Sequence, residues 1–254
     1  MELKTLLVVV PHSGLRVPAE ISPDSLTCDF PQLARNIDWY TDWLYDFRDL
    51  LDNTHLEFPY CSLILEANRH PQNIDACVPL SDVSGEPVYR HGLEPDDKLR
   101  EMLARKYLDK FHQDISEQIC SGKVFMLDGH STVTARGVAA NQIELMNYQV
   151  SSEGELTCFC PDVFIKTYAS ELVKLLPGVK ITVNQSKYHQ VYGHICGMHS
   201  VNSMERTGRR VPAILQETNQ NLYINPNGEV DIVALEKLRR SFAEALYRMI
   251  KIVN

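Results

Sequence analysis

The run Leu6-Leu7-Val8-Val9-Val10-Pro11-His12-Ser13-Gly14 decides how this chain is read. Its apolar, β-branched stretch has the length of a buried strand. It stops at Pro11, which has no amide hydrogen with which to continue a ladder. A histidine follows beside a serine and a glycine. The same grammar recurs at Val124-Phe125-Met126-Leu127-Asp128-Gly129-His130-Ser131. Two strands that each end in a His-Ser pair predict one metal site assembled from distant parts of the chain.

Working outward, further short apolar runs read as buried strands at Ser62–Leu65, Lys180–Val183 and Pro212–Leu215, bounded by turn or polar residues. Helical spacing lies between them. Asp38–Leu51 sets Trp39, Trp43, Leu44, Phe47 and Leu51 mostly at three- and four-residue steps, and Asp96–Ile119 does the same through Leu99, Leu103, Leu108, Phe111, Ile115 and Ile119. Pro95 followed by acidic residues suits a helix start, and Pro177-Gly178 stops a helix over Val163–Leu176. A last helix is predicted from about Asp231 to Ile252. Strands alternating with helices imply an α/β layer architecture with a mostly parallel or mixed sheet. No repeat or low-complexity linker divides the chain, so residues 1–254 are expected to form a single domain. The longest irregular segment, Pro71–Pro95, reads equally well as a functional loop or as a surface excursion.

Composition narrows the function. The 25 basic and 33 acidic residues give a net charge of −8, which disfavours a nucleic-acid partner. Only Arg206-Thr207-Gly208-Arg209-Arg210 is locally basic, and it reads as a solvated loop. No stretch approaches the roughly 20 apolar residues of a membrane span. Met1-Glu2-Leu3-Lys4 leads straight into a strand-like run, unlike a secretory signal, so no membrane association and a cytoplasmic location are expected. Seven scattered cysteines do not describe a disulfide framework and read as reduced, mostly buried thiols.

In open α/β sheets, ligands bind outside the carboxyl ends of strands. The polar residues predicted there are His12; Glu66, Asn68 and Arg69; Asp128 and His130; and Gln216 and Glu217. Two neutral imidazoles with one carboxylate form the ligand set of a hydrolytic zinc site that keeps a position open for water. Glu217 is the candidate for the separate carboxylate that moves the proton. Arg69, helped by Asn68, suits a substrate carboxylate through a two-pronged hydrogen bond. Asp128 carries two readings, as a metal ligand or as a group that orients a histidine ring. A histidine after a strand is more often structural than ligating, and it is the recurrence at His130 that favours metal. His112 reads as structural, and His55, His70 and His91 as exposed. His189, His194 and His199 fall in a Gly-containing stretch where spacing decides nothing. Serine catalysis is disfavoured because neither Ser13 nor Ser131 lies in a G-x-S-x-G elbow.

Taken in order, these segments resemble the N-formylglutamate amidohydrolase family. The resemblance is carried by Pro11-His12-Ser13-Gly14 with Pro18, by Asp38-Trp39 and Asp42-Trp43-Leu44-Tyr45-Asp46-Phe47, and by Glu66-Ala67-Asn68-Arg69-His70-Pro71. It continues through Gly85-Glu86-Pro87-Val88-Tyr89, Asp128-Gly129-His130-Ser131 and Gln216-Glu217 with Tyr223. It spans roughly residues 6–224. It implies a zinc-peptidase-like (phosphorylase/hydrolase-like) three-layer sandwich. The implied activity is zinc-dependent hydrolysis of the amide of an N-acyl amino acid, N-formylglutamate or a related compound. Related metallocarboxypeptidases carry H-x-x-E after the first strand, but the third residue past His12 is Leu15. Asp38 is therefore the first choice for the carboxylate ligand beside His12 and His130, with Asp42 and Glu66 as alternatives. The segment Tyr188–Gly197 stands where the family has a Gly-rich stretch and is expected to shape the pocket. The alternative functions are a metallo-amidase or carboxypeptidase acting on a peptide or cell-wall link, and a non-catalytic small-molecule binder.

Overall fold

A computed structural model describes residues 3–34, 37–133, 138–150, 154–185 and 195–253. Its strands are β1 (Leu6–Val10), β2 (Thr54–Glu57), β3 (Phe125–Thr132), β4 (Gln142–Met146), β5 (Tyr148–Val150), β6 (Leu156–Cys158), β7 (Lys180–Val183) and β8 (Ala213–Asn219). Four short helices come first: α1 (Phe30–Leu33), α2 (Thr41–Leu44), α3 (Arg48–Leu51) and α4 (Ile74–Cys77). The longer ones are α5 (Asp97–Leu103), α6 (Asp109–Cys120), α7 (Asp162–Leu175), α8 (Ile195–Thr207) and α9 (Ile232–Val253). A π-helical turn over Ala104–Leu108 joins α5 to α6, so the long helix predicted over Asp96–Ile119 is present with one bulge. Asp96 caps it by accepting the Leu99 amide at 2.8 Å.

Six strands form one sheet in the order β2-β1-β3-β8-β4-β7. Neighbours are parallel except β4 against β8, so β4 and β7 run opposite to the other four. β5 and β6 pair as a separate antiparallel hairpin. Side-chain alternation splits the apolar residues between two layers. Leu7, Val9, Met126 and Leu215 pack with the helix bundle of α5, α6 and α8. Leu6, Val8, Leu127 and Ile214 pack with α7 and α9 on the other face. The result is a three-layer α/β sandwich with a mostly parallel central sheet. Among the described residues no helix is long and apolar enough to cross a membrane.

Several elements differ from the sequence reading, each for a local reason. The edge strand is Thr54–Glu57, whereas Ser62–Leu65 is a turn in which the Ile64 and Leu65 amides both donate to the Cys61 carbonyl. Ile64 and Leu65 are buried without joining the sheet, an ambiguity that short apolar runs always carry. The helix predicted over Asp38–Leu51 breaks into α2 and α3, because the Asp46 carboxylate accepts the Arg48 amide at 3.1 Å and starts a new turn. β4 escaped prediction because Gln142 and Glu144 place polar groups on a buried face. The stretch containing His199 is helix α8, and His189 and His194 lie outside the described residues. His55 is half-buried, while His70 and His91 are exposed. Cys61, Cys77, Cys160 and Cys196 are buried, Cys28, Cys120 and Cys158 are exposed, and all seven are free thiols.

Two glycines allow close approaches that fix the site's walls. A Cβ on Gly14 would lie 2.2 Å from the Pro59 carbonyl carbon. Its absence lets residues 14–16 run against 58–61, with the Arg16 amide donating to Pro59 at 3.1 Å. On the far face of the sheet the Tyr45 ring lies flat on Gly129, and its hydroxyl donates to the His130 carbonyl at 2.8 Å. The same hydroxyl meets Thr218 Oγ1 at 2.8 Å, fastening the ends of β3 and β8 together. A Cβ on Gly129 would stand 2.6 Å from the Tyr45 ring. Gly129→Ala is therefore expected to destabilise the protein by about 1–3 kcal/mol, the usual cost of overpacking. Urea midpoints would show it, and an unchanged midpoint would remove this contact as a constraint.

Candidate metal centre

The parallel register carries the predicted residues to one rim. β1 ends beside β3, and His130 on β3 is the register partner of Glu217 on β8. Period-two alternation then sorts the end of β8. Glu217 faces the same side as His130, whereas Gln216 points into the opposite layer and accepts the Tyr168 hydroxyl at 2.7 Å. Glu217 adds its negative charge to the surroundings of His130.

His12, Asp38 and His130 meet at the centre of that rim. The two Nδ1 atoms stand 3.2 Å apart, and Asp38 Oδ2 lies 3.4 Å from each. Three ligand atoms bonded at about 2.0–2.1 Å to one tetrahedral ion are separated by about 3.3 Å, so the spacing fits a metal of zinc's size. The outer ring nitrogens are held as well. His12 Nε2 donates to Glu66 Oε1 at 2.6 Å, and His130 Nε2 donates to Asp128 Oδ1 at 2.9 Å. Protons on both outer nitrogens leave both inner lone pairs aimed at one point, the arrangement that carboxylates give to metal-binding histidines. Asp38 is itself oriented by the Ser131 amide at 3.0 Å.

Electrostatics agree with this fit. Burial disfavours a charged His12 imidazole, but Glu66 and Asp38 outweigh it and raise its pKa to about 9. Burial likewise opposes charge on His130, and Asp128, Asp38 and Glu217 hold its pKa well above the ordinary value. Burial would raise Glu66, yet the charge of His12 and the hydrogen bonds from His12 and the Asn68 amide bring it to about 2. The same balance keeps Asp38 well below the usual carboxylate range. Asp38, Asp128, Glu217 and the mostly buried Glu66 thus surround two imidazoles. A divalent cation would offset that excess of negative charge.

The other sequence candidates fall around this core. Glu66 stands on the outer side of His12 and Asp42 is exposed, so Asp38 is the carboxylate that shares the inner point. Asn68 is buried; its side-chain oxygen accepts the Ile195 amide at 2.7 Å, and its nitrogen lies 3.3 Å from His130 Nε2. Arg69 Nη1 donates to the Asn68 carbonyl at 2.9 Å. Arg69 also lines a cavity of about 210 Å³ beside His12, Asp38 and Glu66. Pro79, Ser81 and Val83 from the long irregular segment line that cavity. Residues 188–194 of the stretch expected to shape the pocket lie outside the described residues. Sequence reasoning missed Glu144, the register partner of Glu217 across β4 and β8, fully buried and accepting from Gln142, Thr182 and the Gln185 amide. Its signal was the alternation Gln142-Ile143-Glu144-Leu145.

A three-layer α/β fold with two histidines and a carboxylate converging at its strand ends defines the class of this protein. The chain belongs to the N-formylglutamate amidohydrolase family, whose sequence model matches residues 4–224. It is similar to the N-formylglutamate deformylase of Pseudomonas aeruginosa, with 24% identity over 138 residues, 50% of this chain and 51% of that one. It thus spans about half the length of the curated relatives it matches. The structure of N-formylglutamate amidohydrolase from Ralstonia eutropha JMP134 superposes with a TM-score of 0.72 at 16% identity, covering 100% of this chain and 95% of that one. A gene product of Agrobacterium tumefaciens superposes at 0.67 with 12% identity, covering 98% and 92%. At these identities the structural matches speak for the fold.

The raised pKa of His12 sets a pH dependence for the metal-free protein. The folded form binds the His12 proton more tightly than the unfolded chain. The resulting stability is complete below the unfolded value of 6.5 and is lost as pH rises through about 9. Chelator-treated protein is expected to show urea midpoints that fall across this window, with a shallower fall in His12→Asn. An equal slope in both would show that His12 is not the group responsible.

Proposed function

We propose that this chain is a zinc-dependent amidohydrolase that cleaves the amide of an N-acyl amino acid, with N-formylglutamate as the first substrate to test. The observation that carries this reading is the approach of His12, Asp38 and His130 at ligand spacing, each histidine backed by its own carboxylate. His12 Nδ1, His130 Nδ1 and Asp38 Oδ2 would hold the ion. A bound zinc ion supplies Lewis acidity and lowers the pKa of water to about 7.

The protein's own groups do the rest. Glu217, beside His130 on the same face of the sheet, takes the proton of the attacking water and returns it to the leaving nitrogen. Arg69, at the wall of the adjoining cavity, holds the substrate carboxylate by a two-pronged hydrogen bond. Asn68 supports Glu66 behind His12 and Arg69 at the cavity wall, since its backbone amide donates to Glu66 and its carbonyl accepts from Arg69. The cavity of about 210 Å³ favours a small acylated amino acid over a folded peptide.

Protein purified without a tag is expected to contain about one zinc ion per chain and to hydrolyse N-formylglutamate or another N-acyl amino acid. His12→Ala and His130→Ala should lose the ion, and full retention in both would reject the site. Glu217→Gln should keep the ion and lose roughly 100- to 10,000-fold in kcat, the usual cost of removing a positioned acid–base group. Unchanged turnover would take Glu217 out of the reaction. Ligand binding without turnover in zinc-loaded protein would favour a binding protein instead.

A further inference from the structure

Asp38 reaches the metal centre from a segment that no regular element holds. Residues 37–40 precede α2 and belong to no helix or strand. Tyr40 ends the segment with φ at +61°. A residue with a side chain disfavours that left-handed conformation, which persists only where the surroundings over-determine it. Those surroundings are side-chain donors on three successive carbonyls. Gln220 Nε2 donates to the Ile37 carbonyl at 2.9 Å, the Thr41 hydroxyl to the Asp38 carbonyl at 2.8 Å, and the Tyr223 hydroxyl to the Trp39 carbonyl at 3.0 Å. Carbonyl oxygens only accept, so each direction is fixed. All three donor residues are buried, where a donor separated from its acceptor is costly.

Two of the three donors come from one place. Gln220 opens the 3-10 turn Gln220–Leu222, which follows β8 directly, and Tyr223 is the next residue. The turn is itself fixed. The Asn219 side chain accepts the Asn221 amide at 2.9 Å, and the Gln220 carbonyl accepts the Tyr223 amide at 2.9 Å. Gln220 also makes a second contact. Its amide nitrogen donates to Ser131 Oγ at 3.0 Å, and the Ser131 main-chain amide is the group that orients Asp38 Oδ2. One side chain therefore grips both the backbone entering Asp38 and the residue that grips its carboxylate. The end of β8 that carries Glu217 thus runs straight into the anchor of Asp38.

We propose that Gln220 and Tyr223 are positioning residues of the metal centre. They hold the backbone on either side of Asp38 so that its Oδ2 stands at ligand distance from both histidines, a role that rests on the reading of His12, Asp38 and His130 as a metal site. The tyrosine that follows Gln216-Glu217 in the order of motifs thereby has a physical task. It fixes a ligand that is far away in the chain, and the groups that orient a metal's ligands set its affinity nearly as much as the ligands do.

Titration of chelator-treated protein with zinc tests it. Tyr223→Phe removes one hydroxyl and keeps the ring, while Gln220→Met keeps the length and removes the amide donors. Each is expected to weaken zinc binding by about ten- to a hundredfold, the usual cost of losing a group that orients a metal ligand. In an Asp38→Ala background the same substitutions should change zinc affinity by less than about twofold, because the ligand they position is gone. Cobalt-loaded protein gives a second readout. The visible absorption bands of both variants should shift from those of the wild type as Asp38 moves relative to the ion. Should Gln220→Met fail to fold, Tyr223→Phe carries the test alone, and should Asp38→Ala bind no zinc, the cobalt spectrum decides. Zinc affinity within about twofold of the wild type, an equal loss in both backgrounds, or an unshifted cobalt spectrum each overturns the inference and leaves the metal site standing. Wild-type protein that binds neither zinc nor cobalt overturns the metal site, and the inference with it.

Discussion

The structure depends on holding two imidazole lone pairs 3.2 Å apart and pointed at the same place. Left alone, such an arrangement repels itself and opens. Here it is held from outside, because Glu66 and Asp128 grip the outer nitrogens and Asp38 closes the third side. Each carboxylate lowers the energy of positive charge at the centre, whether that charge is a proton on an imidazole or a metal ion. The elevated pKa of His12 and the site's fitness for a divalent cation are therefore two expressions of one field.

Holding that geometry recruits both faces of the sheet. On the site face, His130 and Glu217 sit side by side because β3 and β8 are parallel and in register. On the far face, Tyr45 binds the ends of these same strands, and Gly129 is glycine because the ring occupies the space of a side chain. Gly14 plays the matching part at the other wall, letting the chain past His12 run against residues 58–61. The Glu66–Arg69 turn links the parts. It orients His12 through Glu66, braces the start of α8 through Asn68 and brings Arg69 to the adjoining cavity.

Much of this was legible in the chain. The apolar runs ending at Pro11-His12 and Asp128-Gly129-His130 gave the neighbouring strands β1 and β3 and both histidines, because a buried parallel strand is a continuous apolar run and its polar end stands out. Helices with a clear stripe, such as α7 and α9, were found nearly to the residue. The misses share one cause. β4 hid because the rim needs polar groups such as Glu144 on a face that ordinary strands fill with apolar ones, and Ser62–Leu65 misled because an apolar turn buried in a core has the composition of a strand.

The sequence by itself determined the residue types of the site, the α/β alternation and the family to which the order of motifs points. These are local or ordered signals, written in periodicity and in short segments. Only the tertiary structure decided that Asp38, rather than Asp42 or Glu66, shares a point with the two histidines. It also decided that Glu66 and Asp128 stand behind them. Those distinctions are differences of a few ångströms between groups of the same chemistry far apart in the chain. Strand register, side-chain alternation and the close approaches at Gly14 and Gly129 set them, and no linear pattern of residues encodes a distance across the fold.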